Sequence, residues 1–158
     1  RLSAGGRTGD IMNEIKVLTI GFTRKTAEAF FTRLIRAGVK RVIDIRLNNV
    51  SQLAGFAKRD DLRYFLRAIG GIEYHHRPDL APTQEILDAF KKDKGSWPAY
   101  ERDFLDLLAG REAETAVSPE LLHEGCLLCS EDKPDQCHRR LVAEYLRSKW
   151  GRVEIIHL

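Results

Sequence analysis

The stretch Gly125-Cys126-Leu127-Leu128-Cys129-Ser130-Glu131-Asp132-Lys133-Pro134-Asp135-Gln136-Cys137-His138-Arg139-Arg140 decides the fold. A small residue opens an apolar run of strand length and a polar cluster closes it, so the run reads as a short buried strand. Beyond the cluster the pattern turns helical. Asp132 is placed to cap a helix, Pro134 falls in the first turn where a missing N–H matters little, and Asp135 puts negative charge at the positive end of the dipole. Cys137, Leu141 and Tyr145 then share one stripe, flanked by Val142 and Leu146. A strand that passes into a helix across a loop crowded with ionisable groups is where open α/β proteins hold their sites.

Working outward, Lys16 to Gly21 (K-V-L-T-I-G) and Arg41 to Arg46 (R-V-I-D-I-R) read as two further strands. Side chains alternate along a strand, which puts Asp44 and Arg46 on one face near the carboxyl end of the second. Ile72 to His75 reads as a short third strand and Val153 to Leu158 as the last. Between them the spacing predicts a helix capped by Thr26 and ended by Gly38, and another from Arg59 to Ile69 that stops at Gly70-Gly71. A Thr83-capped helix runs to Phe90, one runs from Trp97 to Leu108, and Pro119 to His123 makes a helical turn. Leu47 to Lys58 reads as an irregular loop, and Arg111 to Ser118 as a surface connection. Strands that alternate with helices imply parallel crossovers. The expected fold is a single three-layer α/β domain over residues 12–158, a mainly parallel sheet with helices on both faces.

At 158 residues and 43% hydrophobic content, the chain has enough apolar material for one core of its own. No apolar run approaches the roughly 20 residues of a membrane span, so no membrane partner is expected. Arg1 to Ile11 is polar and Gly-rich, which predicts a disordered extension, native or left by cloning, in a cytoplasmic protein. Three cysteines, all between positions 126 and 137, make an odd count that favours reduced thiols over a disulfide framework. The 26 basic and 23 acidic residues leave a net charge of +3, compatible with nucleic-acid binding but far from diagnostic.

The carboxyl ends of parallel strands gather on one edge of a sheet. That edge should collect Phe22 to Arg24, Arg46 with its loop, His75 to Asp79, Ser130 with Glu131, and the amino end of the helix carrying Cys137 to Arg139. Two arginines and the histidines beside a helix N-terminus suit a phosphate-bearing ligand, either a nucleotide or a nucleic-acid end. Arg46 and Arg139 would hold the anion. Glu131 and His138 form the candidate acid–base pair, with His76 as a second histidine; the reading leans towards catalysis without fixing a reaction. Against this, Arg46 could serve only as a structural bridge to Asp44 or Glu131. Trp97 and Tyr100 could stack on a base, although their helical spacing with Phe104 is that of core residues.

Cysteine chemistry gives a rival reading. Cys126, Cys129, Cys137 and His138 form a C-x2-C-x7-C-H string that superficially resembles a zinc site. Residues three apart on a strand face opposite ways, however, and Cys137 lies on the apolar stripe, so no metal and no cofactor are expected. A thiol at a strand end is also the layout of rhodaneses and cysteine phosphatases. The phosphatase arginine six positions after Cys129 is replaced by Asp135, which points to an inert buried Cys129. Two alternatives therefore stand beside the leading reading: a non-catalytic nucleic-acid-binding module using Arg59, Arg63 and Arg67, and a metal or thiol-redox site at the cysteines and His138.

Several blocks together resemble a known family. They are T-I-G-F at Thr19 to Phe22, V-I-D-I-R at Val42 to Arg46, G-F-A-K at Gly55 to Lys58, Y-H-H-R-P-D-L at Tyr74 to Leu80, and L-L-C-S-E followed by C-H-R-R at Cys137 to Arg140. From Leu18 to Leu146 the chain resembles the family catalogued as Domain of Unknown Function 488. The resemblance implies the same fold and puts the family's polar set on Arg46, Ser51, Phe56, His76, Cys129, Glu131, Cys137, His138 and Arg139. It assigns those residues to a site, with Arg46, Ser51, Phe56, Cys129, Cys137 and Arg139 on the ligand side, and supplies no reaction. Asn49 stands where family members usually carry Pro.

Overall fold

In a computed structural model that describes residues 14–50 and 54–158, five strands form one parallel sheet. They are β1 (Ile15–Gly21), β2 (Arg41–Asp44), β3 (Glu73–His76), β4 (Gly125–Cys129) and β5 (Val153–His157), in the spatial order β3-β2-β4-β1-β5. β4 is central and every residue in it is buried. Cys126 and Leu128 point into one apolar layer and Leu127 and Cys129 into the other, as the period of two demands. The segment expected to be a disordered extension, Arg1 to Ile11, lies outside the described residues, as does Ser51.

Helices cover both faces. On one side lie α1 (Ala27–Arg36) and α2 (Arg59–Phe65), the latter prolonged by a π-turn over Leu66–Gly70. The other side carries α3 (Gln84–Lys91), α4 (Trp97–Gly110), α5 (Ala113–Ala116), α6 (Pro119–Leu122) and α7 (His138–Trp150). The expected starts of three helices are realised by side-chain caps: Thr26 Oγ1 accepts from the Ala29 N–H, Thr83 Oγ1 from Ile86, and Ser96 Oγ from Ala99. No helix among the described residues is long and apolar enough to cross a membrane.

Three local expectations are corrected. β2 ends at Asp44 rather than Arg46, because the Asp44 carboxylate takes the Arg46 backbone N–H (3.2 Å) and turns the chain out of the ladder. Arg111 to Ser118 is no mere surface connection: it contains α5 and buries Ala113 and Val117 in the core. The helix after β4 begins at His138, with Cys137 as N-cap, and not near Asp132. Asp132 is instead held by the Lys25 ammonium (2.9 Å). The carbonyls of Glu131, Asp132, Pro134 and Asp135 accept from the guanidinium groups of Arg139 and Arg140, so the loop's acceptors are turned towards side chains and not along a helix axis.

This topology positions a crevice. The connections after β1 and β2 return through α1 and α2 on one face, whereas those after β3 and β4 return through α3 to α7 on the other. β2 and β4 are neighbours, yet the chain leaves their carboxyl ends towards opposite faces. A cleft opens at such a divergence in doubly wound sheets.

Candidate functional site

At the end of β2 the Asp44 carboxylate is completely buried and gathers a hydrogen-bond network. Arg46 donates to it from Nε (2.8 Å) and Nη2 (2.7 Å), Tyr74 donates its hydroxyl, and Asn49 Nδ2 lies at 3.4 Å. Asn49 also donates to the Tyr74 hydroxyl (3.1 Å). Burial, with the Asp44 charge behind it, raises the Tyr74 phenol well above its ordinary pKa. Arg46 is therefore a structural partner of Asp44, as the alternative reading held. Yet the pairing leaves one nitrogen over. Nη1 of Arg46 is the only buried side-chain nitrogen or oxygen among the described residues without a hydrogen-bond partner. The residue is 3% exposed and its guanidinium also packs over the Phe22 ring.

Arg46 lines a cavity of about 240 Å³ in the crevice between β2 and β4. Cys129, Cys137 and His138 line it with Arg46, the rings of Phe90, Trp97 and Tyr100 form one wall, and Lys91, Glu131, Gln136 and Asn48 complete it. The wall is continuous: Trp97 stacks on Tyr100 with ring centroids 5.1 Å apart, and Phe90 meets both. Glu131 and Lys91 pair at 3.0 Å, with about half of each side chain exposed. Segments some ninety positions apart thus meet around one charged hollow.

Behind the cavity lies Arg139, the largest fully buried side chain. Nε donates to Thr19 Oγ1 (3.2 Å), Nη2 to the Asp132 carbonyl (3.2 Å) and Nη1 to the Glu131 carbonyl. Nη1 also lies 3.5 Å from Cys129 Sγ and 3.6 Å from Cys137 Sγ. No carboxylate of the described residues is in ion-pair contact with it. Burial accordingly pulls its guanidinium pKa down. Gly21 makes this arrangement possible, since a Cβ there would lie 1.6 Å from the Glu131 carbonyl oxygen and 2.8 Å from Arg139 Nη1.

The cysteines depart from the expectation of separate reduced thiols. Cys129 and Cys137 are joined by a disulfide across the loop, and Cys126 alone is free, buried on the opposite face of the sheet. The Arg139 guanidinium lies 3.5 and 3.6 Å from the two sulfurs, a neighbour that the spacing does not reveal. Ligand atoms of Cys129, Cys137 and His138 also lie within 4.8 Å of one another. Two bonded sulfurs are no longer thiolates, so this trio has a metal-ligand set only when reduced.

His138 Nε2 is 2.7 Å from the Ile45 carbonyl. A carbonyl only accepts, so Nε2 carries the hydrogen and Nδ1 keeps its lone pair. Burial pushes the imidazolium pKa down to about 4, with Arg139 adding to the fall, while the Ile45 bond and the charges of Asp44 and Glu131 pull the other way. His138 is thus a neutral acceptor at pH 7. The folded-state pKa lies below the unfolded value near 6.5, so between pH 6.5 and 4 the unfolded chain binds the extra proton. Its contribution to stability should be whole above pH 6.5 and decline as pH falls towards 4. In a pH titration by NMR the His138 ring should titrate near 4; a midpoint near 6.5 would refute this.

The structure brings Arg46, Glu131, His138, Cys129 and Cys137 to one cavity. Arg139 stands behind it, in contact with both sulfurs. His76 sits outside the lining, its Nε2 donating to the Arg46 carbonyl (3.1 Å) and so fixing that arginine's main chain. Phe56 packs with Phe30 and Phe31 in the layer on the other face. Ser51 is among the residues not described. Arg59, Arg63 and Arg67 are exposed on α2 and its extension; Arg59 pairs with Asp60, and Arg63 and Arg67 lie over the rings of Tyr74 and Tyr64. Lys91 was missed by sequence reasoning, and nothing at the end of a short charged helix marks it out.

A family model described as Domain of unknown function DUF488 matches residues 26–146. No curated protein and no solved structure matches the chain significantly.

Proposed function

The chain belongs to the DUF488 family, and on the geometry of its cleft we propose that it binds a small phosphate-bearing metabolite with a planar ring, a nucleotide in the simplest case. The supporting observation is Arg46 Nη1. A guanidinium nitrogen buried without a partner at a cavity wall lacks an acceptor oxygen, and leaving it so costs about 1–3 kcal/mol. A phosphate oxygen would supply the acceptor, Lys91 on the same lining would share the charge, and the aromatic wall of Phe90, Trp97 and Tyr100 would pack against the ring. A hollow of about 240 Å³ suits a small molecule and is too small for a strand of nucleic acid. His138 Nδ1 would act as the acceptor for a ligand hydroxyl or amino proton, with Glu131 at the rim as its acid–base partner.

Isothermal titration with inorganic phosphate, pyrophosphate and nucleoside monophosphates tests this reading. Binding is expected to be tighter for a nucleotide than for phosphate alone. Lys91→Ala should weaken it about fivefold, the worth of one half-exposed charge contact, while leaving unfolding nearly unchanged. Absence of binding by every phosphate compound would remove the proposal, and an equal affinity for phosphate and nucleotide would remove the stacking wall from it.

A further inference from the structure

We propose that Cys129 and Cys137 are a reversible two-electron redox pair, reached through the cavity and served by the buried guanidinium of Arg139. Three observations converge. Both sulfurs line the cavity, so a bond between them faces a route open to small molecules. Arg139 is a fully buried cation with no carboxylate of the described residues in contact, and the two sulfurs at 3.5 and 3.6 Å are placed to take up negative charge on reduction. Cys137 is the N-cap residue of the 13-residue α7, at the positive end of its dipole. A cation and a helix start beside a cysteine are what favours a thiolate over a thiol. Neither the ligand reading of the cleft nor the identity of its metabolite enters this inference.

The chemistry is thiol–disulfide exchange with a low-molecular-weight thiol couple. In the oxidising direction the Cys137 thiolate attacks one sulfur of an external disulfide, a mixed disulfide forms, and one external thiolate leaves. Cys129, 3.5 Å from the same guanidinium, then attacks the Cys137 sulfur. The bond between Cys129 and Cys137 forms as the second external thiolate departs. The protein gives up two electrons and two protons, and the external disulfide becomes two thiols; reduction is the same sequence reversed. Arg139 is a positioning residue throughout, balancing whichever thiolate is present. Cys126 takes no part, since it is sealed into the other layer and burial raises its thiol far above the ordinary value.

The test uses the whole chain, reduced with dithiothreitol, desalted, and exposed folded to oxidised glutathione. Of the three thiols in the sequence, two should be lost together and one retained, with a mass lower by two hydrogen atoms and no glutathione adduct. Cys129→Ser should instead hold a glutathione adduct on Cys137. Cys137→Ser should acquire its adduct on Cys129 roughly tenfold more slowly, the change in thiolate population made by one pKa unit. The wild-type result stands even if a variant fails to fold. Two outcomes would overturn the proposal: thiols in the folded protein that oxidised glutathione leaves untouched, or a stoichiometric metal ion released when the thiols are blocked.

Discussion

Alanine at position 46 is expected to lower stability by about 3–5 kcal/mol, and with it the thermal midpoint by roughly 10 °C. The reason lies in what remains behind. Asp44 is wholly buried and loses two donors from the missing guanidinium, keeping only Tyr74, a long contact to Asn49 and the Arg46 backbone N–H. A carboxylate cut off from its counter-charge in a dry setting is the expensive half of a broken pair. Substituting Asp44 by Ala strands the arginine in the same way. The double substitution Asp44→Ala with Arg46→Ala removes both charges, so it should cost well under the sum of the singles, with a coupling of about 2 kcal/mol or more. Urea unfolding of the four proteins gives the cycle. Additive effects would show that the pair is no structural unit, and the orphan nitrogen would lose its meaning with it. This also separates two roles that a ligand-binding assay on Arg46→Ala alone would confuse, since a protein that unfolds cannot bind.

How much of this was legible beforehand depends on the range of the interaction. The five parallel strands could be read because each is a short apolar run of fixed period, and Thr26 and Thr83 announced their helices by a contact three residues away. Asp44 and Arg46 were readable as a pair on one face for the same reason, two positions apart. The start of α7 was misplaced because the decision there is not local. Asp132 has the chemistry of a cap, but Lys25, more than a hundred positions earlier, claims its carboxylate. The disulfide is illegible for a related reason: Cys129 and Cys137 meet beside a guanidinium that is itself held by Thr19, more than a hundred positions earlier. Arg139 itself reads as an anion binder at a helix start, and only the packed structure shows its nitrogens taken by Thr19 and by the carbonyls of 131 and 132. The resemblance puts Phe56 and His76 with the site residues, yet Phe56 packs in the opposite layer and His76 holds a carbonyl.

Among the described glycines, Gly21→Ala should be the most damaging change. The new Cβ would stand 1.6 Å from the Glu131 carbonyl oxygen, a backbone atom that no rotamer change can move aside. Relief requires the loop after β4 to retreat by more than an ångström, and five hydrogen bonds oppose it. Thr23 donates to the Ser130 carbonyl from both its N–H (3.1 Å) and its hydroxyl, Lys25 holds Asp132, and Arg139 holds the carbonyls of 131 and 132. Breaking even part of this set strands buried donors, so a loss of about 3 kcal/mol or more is expected, at or beyond the upper end for overpacking. Gly110→Ala provides the contrast. Nothing lies within 4 Å of a Cβ at that last residue of α4, and a helix-favouring residue there should stabilise by about 0.5–1 kcal/mol. If denaturant unfolding ranks the two substitutions alike, the loop does not rest on β1 as described. In that case the seat of Arg139, and the sulfurs gathered around it, would need another foundation.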